Sequence, residues 1–297
     1  MKELLLGNMN LCDIMILGCD EMKQTDMTKV HEKLTENIEK YINIIVQEYG
    51  NYMPTNVLER LKNISDYSQI LQIHDYGEVS AYANQNNISM PLCADKILES
   101  ASKLPGYGIN KNHKTYDDKT IVLNDNTFFT YIKHIFISGT NAEGYYDDLL
   151  LHETMHFCGS GGATVLKEGI NELLTRMLAQ KYDLRTNSCG YPKEVKLSYR
   201  LMEIFGEETI KQLAFINNKE YEFNFIKEKL GSDAATLYFQ VSILAQEEFY
   251  NKYYSHMNEF KGISGIAKKI FMYNQINYGK VNKLIDNYLE NEVQHIK

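Results

Sequence analysis

Residues 149–182 read LLLHETMHFCGSGGATVLKEGINELLTRMLAQKY, with helical periodicity on both sides of a Gly-Ser-Gly-Gly break. Leu149, Leu150, Leu151, Met155 and Phe157 make the first half apolar around most of its circumference, the pattern of a helix enclosed by its neighbours. Glycines 159, 161 and 162 end that helix and let the chain reverse. The second half, from Ala163, keeps strong helical periodicity as far as Tyr182 and returns alongside the first. Within the first, enclosed helix stand two histidines, His152 and His156, that are costly to bury unless they are bound or hydrogen-bonded.

The flanking sequence is also mostly helical. Met27–Gly50 carries apolar residues at helical spacing and ends in glycine, and Thr55–Ile64 and Pro91–Leu104 read as further helices, the latter with Pro91 in its first turn. A turn-rich stretch at 104–119 precedes two β-like runs, Thr120–Asp125 and Thr130–Ser138. Beyond Pro192 the chain reads as helical over 193–206, 207–216, 234–257 and 281–293. The expected fold is α+β and predominantly helical, with a small β-sheet preceding the helix pair. Its divisions fall at 1–23, a signal- or lipoprotein-like or disordered N-terminus; 24–105, a helical region; 106–185, the core that holds the pair; and 186–297, a helical C-terminal subdomain.

With 31 basic and 39 acidic residues among 297, the net charge is −8, which argues against nucleic acid or an anionic membrane as the main partner. The cysteines, Cys12, Cys19, Cys93, Cys158 and Cys189, are odd in number and scattered, so a reducing compartment is the simpler expectation. The run Ile16-Leu17-Gly18-Cys19 before Asp20 resembles a lipoprotein lipidation motif, but Asn8, Asn10 and Asp13 interrupt the apolar stretch that should precede it. A cytoplasmic protein is expected, with membrane attachment only if Cys19 is lipidated.

On a helix turning about 100° per residue, His156 projects about 40° from His152, so both imidazoles leave one face a turn apart. Glu153, at about 100°, flanks the pair without pointing at an ion they share. This spacing, HExxH, suits two histidines holding Zn²⁺ and a glutamate acting as general base on water. For a third ligand, Cys158 lies about 200° beyond His156 and faces away. A glycine, Gly162, occupies the position where the longer HExxHxxGxxH pattern needs its last histidine. The returning helix remains: Glu168 and Glu172, at i and i+4, share a face, so one can meet the metal and the other stand a turn further on.

HETMH followed on the next helix by LKEGINELL resembles the gluzincins, the zinc peptidases of the thermolysin and aminopeptidase families. Over about 30 residues the resemblance implies Zn²⁺ held by His152, His156 and Glu168, with Glu153 as base. It also implies that Glu172 orients one histidine, His152, through its other ring nitrogen. The connection departs from the family pattern: eleven residues separate His156 from Glu168, fewer than those families use. The opposite assignment, Glu172 as ligand and Glu168 as helper, therefore stays open. Gly169 favours Glu168, because a glycine permits close helix packing beside the metal.

Such a hydrolase needs a donor for the developing oxyanion. Tyr191, in the turn after the second helix, is the first candidate, ahead of Tyr199 and His256. The run Tyr131–Ser138 is a candidate edge for an extended peptide, while His134 and His74 read as structural. The expected function is a zinc metallopeptidase acting on a peptide or protein substrate. The alternatives are a non-catalytic binding protein that retains the zinc-site fold and a narrow-specificity effector protease.

Overall fold

A computed structural model of the chain describes residues 24–74, 82–84, 86–91, 142–159, 164–184, 191–216, 218–253, 255, 272–273 and 275–295. The described elements begin with α1 (Gln24–Tyr49), whose buried residues Leu34, Ile38, Tyr41, Ile42, Ile45 and Tyr49 recur at helical spacing along one face. Each fully buried isoleucine on it contributes about 1.5–3 kcal/mol relative to exposure. A 3-10 turn at Gly50–Tyr52 ends the helix and leads to α2 (Thr55–Lys62). A second 3-10 turn, Tyr67–Gln69, follows, with the Asp66 side chain accepting from Ser68 N.

The sheet has three short strands: β1 (Leu71–His74), β2 (Tyr82–Ala83) and β3 (Ile88–Pro91). β3 is central, parallel to β1 with Leu71 opposite Ile88, and antiparallel to β2 with Tyr82 opposite Ser89. Ile88, Ser89 and Met90 are all buried, as expected of a middle strand covered by helices. Pro91 is the last residue of β3, opposite His74 of β1. The remainder of the expected 91–104 helix and the two runs at 120–125 and 130–138 lie outside the described residues.

The remaining helices are α3 (Ala142–Cys158), α4 (Val165–Lys181), α5 (Pro192–Phe205), α6 (Glu207–Phe215), α7 (Lys219–Leu230), α8 (Ser232–Lys252) and α9 (Gly279–His295). The fold is thus predominantly helical α+β, with a small sheet ahead of the central helix pair, as the sequence led us to expect. α4 is the hub: it packs against α3, α5, α6 and α8, while α3 packs against α1 and the sheet. Thr164 caps α4 by accepting from Lys167 N at 3.3 Å, and Asn218 caps α7 by accepting from Tyr221 N at 3.0 Å.

Polar ties fix the hub. Lys167 donates to the carbonyls of Leu213 and Ile216 at the end of α6 and pairs with Glu222 of α7 at 2.6 Å. Tyr49 donates to Leu174 O at 3.1 Å, joining α1 to α4. Arg60 caps the C-terminus of α3 through Phe157 O at 2.5 Å, with its guanidinium 4.5 Å from the Phe157 ring. Among the described residues no helix is long and apolar enough to cross a membrane.

Candidate metal centre

From Leu150 onward α3 is enclosed: Leu150, Leu151, Met155 and Phe157 are buried, and so are His152, Glu153 and Thr154. Thr154 satisfies its hydroxyl on Leu150 O at 2.6 Å, within its own helix. His152 and His156 leave the same face, their rings edge-on with centroids 4.8 Å apart. Cys158, buried in the same helix, is not part of the cluster these histidines form, and burial pushes its thiol up to about 12.

The carboxylate of Glu168 reaches this face from α4. Its Oε2 stands 3.0 Å from His156 Nε2 and 3.4 Å from His152 Nε2, and the two Nε2 atoms are 3.1 Å apart. Four ligands at about 2.0–2.1 Å in a tetrahedron lie about 3.3–3.4 Å from one another, so this triangle fits a zinc ion with little adjustment. The donor set points the same way. With His152 protonated on Nδ1, its Nε2 presents a lone pair, and so does the Glu168 oxygen facing it. Lone pairs converging in a buried site repel one another unless a proton or a cation lies between them. Among the described residues, no other His, Cys, Asp or Glu joins His152, His156 and Glu168 as a candidate ligand group.

Glu172 occupies the opposite edge of His152. Its Oε2 accepts from Nδ1 at 2.8 Å, which leaves Nε2 facing the triangle. Its other oxygen accepts from Arg176 Nε at 2.8 Å, one turn further along α4. Both residues are 2 % exposed, a buried ion pair that the sequence reading missed beyond Glu172. Asn171, between the two glutamates, donates to His152 O at 3.2 Å and joins α4 to the backbone of α3.

These neighbours set the electrostatics. Burial pushes His152 down, but the hydrogen bonds it donates to Glu168 and Glu172 outweigh it and hold the imidazole well above its ordinary value. Burial also acts against the charge on Glu168, yet the two histidines bring its carboxyl well below the usual range. Glu172 is lowered too, with Arg176 and His152 overcoming burial. Glu153 differs: burial raises it, although both histidines pull the other way.

Tyr191 precedes α5 in the left-handed region, at φ 48° and ψ 46°, an unusual conformation for a residue with a Cβ. Its ring stacks on His152, with centroids 5.8 Å apart and planes inclined by 19°. The structure thus gathers His152, His156 and Glu168 around one point, sets Glu172 and Tyr191 against His152, and leaves Glu153 close enough to feel the charge of both imidazoles. Tyr199 packs instead against Leu173 and Val195. His256 and His134 lie outside the described residues, and His74 ends β1.

Gly169 is where α4 and α5 come together, because a Cβ there would stand 2.5 Å from Glu194 O. The contact explains the glycine beside Glu168: a side chain would push the helices apart next to the cluster. No protein-family model matches the chain, and comparison with curated proteins and with solved structures likewise gives no match.

Proposed function

We propose that this chain is a zinc-dependent peptidase of the gluzincin type, with His152, His156 and Glu168 holding the ion. The observation that carries this reading is the triangle of ligand atoms, with the buried Glu153 next to it on α3. When bound, zinc would polarise the scissile carbonyl and make water acidic enough to be deprotonated near neutral pH. The protein supplies the rest. Glu172, backed by Arg176, accepts the Nδ1 proton of His152 and so keeps Nε2 directed at the triangle. Glu153 takes a proton from the attacking water and returns it to the leaving amine nitrogen. Tyr191, held against His152, donates its hydroxyl to the oxygen of the attacked carbonyl.

The test compares zinc-loaded wild type with Glu153→Gln on a peptide library, with cleavage read by mass spectrometry. Cleavage by wild type, reduced at least ~10²-fold in a variant that still binds zinc, is the expected result. A zinc-loaded wild type that cleaves nothing in the library would sink the peptidase reading and leave a metal-binding protein.

A further inference from the structure

The first turn of α5 is gripped by a segment from far along the chain. Glu194 is fully buried, at 0 % exposure, and both of its oxygens are engaged. Oε2 accepts from the Tyr273 hydroxyl at 2.7 Å, and Oε1 accepts from the Tyr278 hydroxyl. The adjacent Lys193 donates Nζ to Tyr273 O at 3.0 Å and to Ile276 O at 2.7 Å, and lies 5.1 Å from the Tyr273 ring. One lysine–glutamate dipeptide therefore ties down two side chains and two carbonyls within residues 273–278, just ahead of α9.

Two contacts connect this grip to the metal centre. Tyr191 O accepts from Val195 N at 2.8 Å, the bond that closes the first turn of α5, so Tyr191 and Glu194 belong to the same turn. Tyr191 holds its left-handed backbone there, a conformation that persists only where the surroundings determine it, and its ring lies on His152. On the other side, the Glu194 carbonyl is the group that the missing side chain of Gly169 allows so close, one residue from Glu168. An apolar side chain at 194 would also fill space, but hydrogen bonds of defined direction fix orientation as well as distance.

Resting on the metal reading above, we infer that Glu194 is a positioning residue: clamped by Tyr273 and Tyr278, it sets the first turn of α5 so that Tyr191 stays over His152. The segment Tyr273–Tyr278 is then part of the site's support, although it touches no candidate ligand in the arrangement described.

The chain has no tryptophan, so Tyr191→Trp introduces a single indole reporter at the stacking position. Co²⁺, which absorbs in the visible and quenches a nearby indole, serves as the probe. In the full chain carrying Tyr191→Trp, one bound Co²⁺ is expected, with strong quenching of the indole emission. Adding Tyr273→Phe and Tyr278→Phe, which keep the rings and remove the donors, should leave Co²⁺ binding intact and abolish most of the quench. Adding Glu194→Gln instead should retain it, because the amide can still engage both hydroxyls once one phenol rotates. Full quenching in the double Phe variant with Co²⁺ bound would overturn the positioning role alone. Absence of bound Co²⁺ from the Tyr191→Trp chain would overturn it together with the metal reading. Should the double variant not fold, Tyr278→Phe alone is read by the same two outcomes.

Discussion

Gly169→Ala probes the packing on which the site depends. An added Cβ would stand 2.5 Å from Glu194 O, 2.6 Å from its carbonyl carbon and 2.7 Å from Ser198 Oγ. Ordinary contact begins at 3.4 Å, so α4 and α5 must separate locally by about 0.9 Å. The obstructing atoms are mainly backbone and cannot rotate aside. Overpacking of this kind costs about 1–3 kcal/mol, and alanine returns about 0.5–1 kcal/mol through its better helix propensity. The net loss of about 0–2.5 kcal/mol corresponds to a fall in Tm of up to several degrees. The displacement occurs one residue from Glu168, while metal ligands tolerate only about 0.2 Å of error, so zinc affinity should fall ~10-fold or more. The assay is thermal melting plus competitive zinc titration, with Gly50→Ala as control, since a Cβ there meets only Leu58 Cδ2 at 3.6 Å and Val46 Cγ1 at 3.7 Å. If Gly169→Ala matched wild type in both Tm and zinc affinity, the close approach of α4 and α5 beside Glu168 would be refuted.

Two further predictions concern charge. Arg176→Leu leaves the buried Glu172 carboxylate only its His152 partner and should destabilise the chain by about 1–3 kcal/mol in denaturant melts, the cost of losing a buried hydrogen bond to a charged group; no measurable loss would contradict that role for Arg176. The metal-free chain should be most stable between about 4.5 and about 6.5, the ordinary values of its carboxylates and imidazole. The His152 contribution is complete below 6.5 and is lost as pH rises through its elevated folded value. The Glu168 and Glu172 contributions are complete above 4.5 and are lost as pH falls through their depressed folded values. Glu153, raised by burial, loses its contribution as pH rises from 4.5 through its elevated folded value, which tilts the maximum toward the acid side of that window. EDTA-treated protein melted from pH 4 to 9 should show this maximum, with His152→Ala flattening its upper limb; Tm rising steadily from pH 6 to 8 would contradict it.

The helix pair was legible because its signal is local. Helical geometry alone aligns His152 with His156 and Glu168 with Glu172, and the glycine break implies the reversal that brings the faces together. The α5, α6 and α8 segments were legible for the same reason, from apolar periodicity between glycine and proline punctuation. The strands at 71–91 were missed because runs of two to four residues carry too little alternation to separate from a loop. Pro91, a residue that suits the first turn of a helix, stands at the end of β3. α7 went unread, since Glu222 and Ile226 are the only buried residues in its span.

What escaped at the site was non-local. Arg176 reads in sequence as an ordinary helix charge, and only its burial beside Glu172 reveals its role. The Glu194 clamp joins residues 79 and 84 positions apart, which no local pattern encodes. Tyr191 was named for its place after the second helix, but its left-handed backbone and its stacking on His152 are visible only in three dimensions.

The most direct test is zinc stoichiometry by elemental analysis of metal-replete wild type, Glu168→Ala and Glu172→Ala. Wild type should hold one zinc per chain and Glu168→Ala none, while Glu172→Ala should bind ~10–100-fold more weakly, as a residue acting through His152 does. Zinc lost with Glu172→Ala but kept by Glu168→Ala would exchange the two roles, against the 3.0 and 3.4 Å approaches of Glu168 to the imidazoles. No zinc in the wild type would contradict the metal centre itself.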